Sequence, residues 1–259
     1  MTEWLIFALI GVLTGLLSGL LGLGGGLIVV PCLLTVFALM GYADTMLMHM
    51  AVATSLATIT VTSLASIYTH AQLDNINWSI VKRLSPSLMV GSFIGAYCSL
   101  LVSSDGLQLG FAVYAIIIAI KINYPAPVSL SDRLLEQPTV SVAGGVIGSV
   151  SALIGIGGGS LTVPYFLMAK QTMSRAVGTA AMCGLPISIS AVLAFMLLEQ
   201  NSDVELSLIH WPAFLGIVST SIIFAVVGAK LTRVLPVSLL KKIFSVVLLV
   251  MGCYLLIQR

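Results

Sequence analysis

Two glycine runs, Gly24-Gly25-Gly26 and Gly157-Gly158-Gly159, lie inside long apolar segments of this chain. A triple glycine breaks a helix, since each glycine is about 1 kcal/mol worse than alanine in a helix interior. Where the helix restarts, its first backbone N–H groups are unpaired and its dipole presents about half a positive charge. That is an anion site made without a charged side chain. Neither run is a nucleotide loop: GLGGGL lacks the Lys-Ser/Thr of a P-loop and the glycine spacing of a dinucleotide fingerprint, and no strand precedes it.

Other side chains could assist. Thr54, Ser55 and Thr179 carry hydroxyls able to donate to an oxyanion, as do Thr58, Thr60, Thr62 and Ser63, although such hydroxyls also bond their own helix. Arg175 offers a guanidinium fork suited to the oxygens of an oxyanion, and it equally suits a loop that anchors topology. His49 is a candidate proton carrier, because histidine titrates near physiological pH; His70 and His210 are ambiguous. Cys32, Cys98, Cys183 and Cys253 each lie in an apolar run with no CxxC pair, so buried free thiols are expected and no metal or redox motif is legible. No cofactor is implied.

The elements that must position these groups are membrane helices. Of 259 residues, 59% are hydrophobic and 8% charged, against about a quarter charged in soluble domains. The apolar runs have the length of bilayer-spanning helices, and the alternation of a barrel strand is absent. A net charge of +2 without a basic stripe gives no reason to expect nucleic-acid binding. The expected surroundings are a lipid bilayer, and Met1-Thr2-Glu3 lacks the basic start of a cleavable signal.

The chain is internally duplicated. Residues 15–31, GLLSGLLGLGGGLIVVP, align without gaps on residues 148–164, GSVSALIGIGGGSLTVP, at an offset of 133 with 9 of 17 positions identical. Ala51-Val52-Ala53-Thr54 matches Ala176-Val177-Gly178-Thr179 at an offset of 125, and Trp78 matches Trp211 at 133 again. Each half then reads as a glycine-broken segment followed by three helices: about 3–41, 45–70, 79–103 and 106–122, then about 138–170, 173–198, 207–231 and 237–257. The expected organisation is a first repeat over 1–122, a linker over 123–137 and a second repeat over 138–259. Gly11, Gly15, Gly19, Gly144 and Gly148 have the spacing of close helix packing.

A single helix over 3–41 would be about 58 Å long against a hydrocarbon core of about 30 Å. The segment must therefore fold back or kink. Charge discriminates. If both broken segments return to their starting side, the halves are inverted, and Lys82, Arg83, Lys121, Arg133, Lys170, Arg175, Lys230, Arg233, Lys241 and Lys242 share one side; only Arg259 is opposite. Glu3, Asp44, Asp105, Glu199, Asp203 and Glu205 then lie outside. The positive-inside rule favours this arrangement.

The doubled GxGGGxxxxP motif, the later A-V-x-T element of each half and the charged central linker resemble the sulfite exporter TauE/SafE family. The resemblance covers essentially the whole chain. It implies an inner-membrane transporter of sulfur-containing anions such as sulfite, sulfoacetate or other organosulfonates. The motif residues carried over are Gly22, Gly24, Gly25, Gly26 and Pro31, then Gly155, Gly157, Gly158, Gly159 and Pro164, with Thr54-Ser55 and Thr179 in the second element. Ser55 is replaced by Ala180 in the second half. An uncoupled anion channel, or a thiosulfate or sulfide permease using a buried cysteine, are the alternatives. The absence of a convergent His, Cys and carboxylate constellation argues against an enzyme.

Overall fold

A computed structural model describes residues 2–21, 25–121, 132–199, 207–231 and 237–257. Among the described residues the chain is all-helical: α1 (Thr2–Leu21), α2 (Gly26–Leu39), α3 (Asp44–Gln72), α4 (Trp78–Leu101), α5 (Ser104–Lys121), α6 (Thr139–Leu153), α7 (Gly159–Met168), α8 (Met173–Glu199), α9 (Trp211–Leu231) and α10 (Val237–Ile257). Six of these, α1, α3, α4, α5, α8 and α9, are long and apolar enough to cross a bilayer. The central linker is not wholly irregular, since Asp132–Leu135 form a turn of 3₁₀ helix held where the Tyr165 hydroxyl donates to the Leu134 carbonyl. Gly22 and Gly24 lie outside the described residues, as do Arg233 and Arg259.

These helices are apolar nearly all round, so burial sorts them by position. Leu5, Leu9 and Leu13 form an exposed stripe on α1, Val142, Val146 and Val150 one on α6, and Val246 and Val250 part of one on α10. Apolar surface on this scale suits lipid. Cys253 lies on the exposed outer side of α10, contrary to the expectation of burial, because that helix packs chiefly against α5 at the periphery. Cys183 is buried, while Cys32 and Cys98 are half-buried. α2 and the middle of α3 and α8 are the interior.

Packing exchanges helices between the halves. α1 lies against α9, and α6 lies against α4, more extensively than any other pairs. Small residues permit it: a Cβ on Gly15 would stand 2.5 Å from the Ser221 carbonyl oxygen, and one on Gly95 2.2 Å from that of Ser149. Gly11 meets Ile217 and Gly148 meets Leu88 in the same way. In both pairs residue numbers rise together, so the partners are parallel. α8 also runs in the same direction as α4, because Thr179 meets Asn77 and Ser190 meets Met89.

Replacing Gly95 by isoleucine forces α4 away from α6 and should destabilise the protein by about 1–3 kcal/mol or more. Gly110→Ala meets nothing within 4 Å and should stabilise α5 by up to about 1 kcal/mol through helix propensity. Thermal unfolding in detergent measures both.

Candidate functional site: two opposed helix breaks

Each glycine run produces the same backbone event. Gly25 has φ 72° and ψ −17° immediately before α2, and Gly158 has φ 74° and ψ −17° immediately before α7. Only glycine adopts this left-handed conformation without steric cost. The Gly25 carbonyl then accepts from the Ile28 and Val29 amides, and the Gly158 carbonyl from those of Leu161 and Thr162. Gly26 and Gly159 are thus the first helical residues, and their amides with those of Leu27 and Ser160 begin helices that have no preceding turn to serve. Pro31 and Pro164 occupy the same place in α2 and α7, one and a half turns on.

The chain turns back at each break. After Leu21 it returns so that Gly25 lies beside Thr14 and Ser18 of α1, a retreat of about 10 Å along that helix. α6 ends in a Schellman turn: Gly155, at φ 75°, donates to Ala152, and Ile156 donates to Ser151. The two breaks then meet. A Cβ on Gly26 would stand 2.6 Å from the Gly155 oxygen and 3.0 Å from Ile156 Cα. Gly157 packs its carbonyl against Gly184 of α8.

The hydroxyls singled out from the sequence are at this junction, but already engaged. Ser55 donates to the Gly155 carbonyl at 2.8 Å, tying α3 to the second break. Thr54 accepts from the His210 amide at 2.9 Å, and Thr179 accepts from the Asn77 amide at 3.0 Å. Each threonine therefore holds the start of a helix that belongs to the other half, α9 or α4. Asn77 and His210, at matching positions, also cap those helices with their side chains: Ile80 donates to Asn77 Oδ1 and Ala213 donates to His210 Nδ1. Thr58, Thr60, Thr62 and Ser63 donate to carbonyls of their own helix.

The remaining candidates are spread more widely. Arg175 lies in the first turn of α8 with its side chain exposed. His49 is buried, and its Nε2 sits 3.1 Å from both the Ser99 and Val102 carbonyls. Two acceptors require Nε2 to carry the proton, which leaves Nδ1 without a hydrogen-bond partner. His49 lines a recess of about 460 Å³ with Thr45, Ser103, Glu199 and Leu208. A second, much smaller cavity of about 10 Å³ lies at the breaks, lined by Ser18, Ser63, Ser66, Gly157 and Gly184 among others; it has room for about one water. Ser18, Ser66, Asn77 and the capping role of His210 escaped sequence reasoning; a polar residue directly before each matched tryptophan was the available signal. Among the described residues no group of His, Cys, Asp or Glu could hold a metal ion.

Opposed helix breaks at the core of a multi-pass helical membrane protein define a transporter architecture. Residues 7–255 match the family Sulfite exporter TauE/SafE, and the chain belongs to that family of membrane transporters. It is 34% identical over 256 residues to a probable membrane transporter protein of Haemophilus influenzae, covering 96% of each chain. A probable membrane transporter protein of Methanocaldococcus jannaschii is 27% identical over 255 residues, with 97% of this chain and 95% of the relative covered. The probable membrane transporter protein YunE of Bacillus subtilis is 24% identical, with 99% and 98% covered. No solved structure matches the chain.

Two predictions follow from the caps. Thr54→Val and Thr179→Val each leave a partly buried amide without its acceptor and should cost about 1 kcal/mol in thermal unfolding. His210 accepts a hydrogen bond at Nδ1 and donates from Nε2 to the Tyr42 hydroxyl at 3.1 Å, so it is held neutral. Burial lowers its pKa, with the Glu3 carboxylate opposing. The unfolded state therefore binds the extra proton first, and stability falls as pH drops below the ordinary histidine value of about 6.5. His210→Asn, copying Asn77, should show a shallower loss of melting temperature between about pH 7 and pH 5.

Proposed function

We propose that the protein is a secondary transporter that carries small sulfur-containing anions, sulfite, sulfoacetate or other organosulfonates, across the inner (cytoplasmic) membrane by alternating access. The observation that carries this is the meeting of two matched breaks: Gly26, just after Gly25, packs on Gly155, just before Gly158, and a small buried cavity lined by Gly157, Ser18 and Ser66 lies beside them. Two such ends together supply about one positive charge, enough to balance a monoanion without a resident cation. An arginine kept at that depth would be costly whenever the carrier was empty. The family name supplies the sulfur chemistry.

Alternating access needs two related half-machines facing opposite sides. α3 and α4 are joined by only residues 73–77, so they run in opposite directions, while α8 runs with α4. α3 and its counterpart α8 are then antiparallel, as inverted repeats over 1–122 and 138–259 require, with 123–137 joining them. The charge distribution supports the same orientation. The larger recess, bordered by Glu199 and Thr45, then opens outward, while the cavity at the breaks stays closed. His49 on that recess is the group we assign to a coupling proton, through its unpartnered Nδ1.

Gly25→Val and Gly158→Val should each abolish transport while leaving folded protein in the membrane. A β-branched residue is strained at these φ values, and a Cβ on Gly158 would stand 2.4 Å from Ile187 Cδ1. Proteoliposomes of the wild type should show saturable sulfite flux and counterflow. Arg175→Gln should alter affinity only modestly. Flux without saturation or counterflow would indicate a channel, and wild-type flux in both valine variants would reduce the breaks to packing elements.

A further inference from the structure

The two halves differ in one respect that the fold does not require. Along one face of α3, Ile59, Ser63, Ser66 and His70 recur at the helical spacing i, i+4, i+7 and i+11. At the matching positions of α8, 125 residues on, stand Gly184, Ser188, Ala191 and Phe195. Ala191 and Phe195 are fully buried, so this place in the architecture is filled well by apolar side chains. α3 nonetheless puts Ser66 and His70 there, at 2% and 5% exposure, and neither the Ser66 Oγ nor either ring nitrogen of His70 has a hydrogen-bond partner. Buried polar groups of this kind are few in native proteins, and each requires a cause. Ser66 also lines the closed cavity, beside Ser18, Ser63 and Gly157.

Resting on the transport function proposed above, we propose that Ser66 and His70 are the side-chain ligands of the transported anion, so that its binding site belongs to the first half and is selective for a monoanionic oxyanion. One turn of helix separates the two side chains, about 5–6 Å between Cβ atoms, close enough for a single sulfonate group to bridge them. The Ser66 hydroxyl and one imidazole N–H donate to two of its oxygens. Ser18, whose Cβ is 3.6 Å from where a Cβ on Gly25 would be, presents a third hydroxyl beneath the first break. The start of α2 supplies the positive end of a dipole there. No Lys or Arg lines the cavity. A second negative charge would have no counter-charge, so dianions are rejected by desolvation; of the anions proposed above, hydrogensulfite and singly charged sulfonates fit this site, and sulfoacetate, with its additional carboxylate, does not. The cavity has room for about one water, so the anion enters as α3 and α8 separate.

The test uses the other half as its own control. Ser66→Ala and His70→Phe copy the residues that α8 carries at the same positions, so the fold tolerates both. Binding of methanesulfonate and of sulfate to the purified full-length protein is measured by calorimetry, beside thermal unfolding without anion. Each variant should bind methanesulfonate about tenfold or more weakly, as expected for a lost hydrogen bond to a charged group. Their melting temperatures without anion should be unchanged or higher, because an unsatisfied polar group has been removed. Ser188→Ala on α8, whose hydroxyl donates within its own helix, should bind as the wild type does. Sulfate should not bind. Wild-type affinity in both Ser66→Ala and His70→Phe, with binding lost in Gly158→Val, would overturn these ligands while sparing the transport function. Equal binding of sulfate and methanesulfonate would overturn the monoanion selectivity. A wild-type protein that neither binds nor carries any sulfur anion would overturn the function itself.

Discussion

In the hydrocarbon of a bilayer no water is available to a backbone amide that has lost its helical partner. Everything else in this structure follows from placing two such losses at its centre. Gly25 and Gly158 turn the chain back within the protein, and the amides and carbonyls they release must find partners or a ligand there. Each break leans on its own half, Gly25 on Thr14 and Ser18 and Gly158 on Ile187, and the two breaks are joined across the halves by Gly26 against Gly155 and by Ser55 on the Gly155 carbonyl.

The exchange of helices completes this mutual cover. α1 packs on α9 and α4 on α6 through glycines that bring backbone against backbone. Thr54 and Thr179 reach across to hold the first amides of α9 and α4. These two contacts couple the middle of α3 and α8, where the breaks lie, to the ends of helices in the opposite half. A shift of α3 against α8 must pull on both caps at once. The caps differ in chemistry: Asn77 cannot titrate, whereas His210 can, within a cluster of Phe7, Phe37 and Tyr42.

Much of this was legible in the residues. Low charge and long apolar runs required membrane helices, and the triple glycines at an offset of 133 located both breaks to within a residue or two. The glycine spacing of α1 and α6 foretold close packing but not which helix would supply the partner, because periodicity identifies a face and not what covers it. The threonines were recognised as polar groups near the centre, yet their function as acceptors for α9 and α4 depends on helices that lie 102 and 156 residues away. Ser66 carried no sequence signal of its own, and His70 was legible only as an ambiguous histidine; both stand out when burial shows that nothing satisfies them. Cys253 was misjudged because an apolar run does not reveal which of its faces meets lipid.

The orientation of the halves is the claim on which the transport account rests, and sidedness measures it most directly. In a chain freed of Cys32, Cys98, Cys183 and Cys253, single cysteines are introduced at Gln72, where α3 ends, and at Ser207, between α8 and α9. These sites flank corresponding connections of the two halves. A membrane-impermeant maleimide should label the Ser207→Cys protein in intact cells, and the Gln72→Cys protein only once the membrane is opened. Labelling of both from the same side would make the halves parallel and would contradict the account.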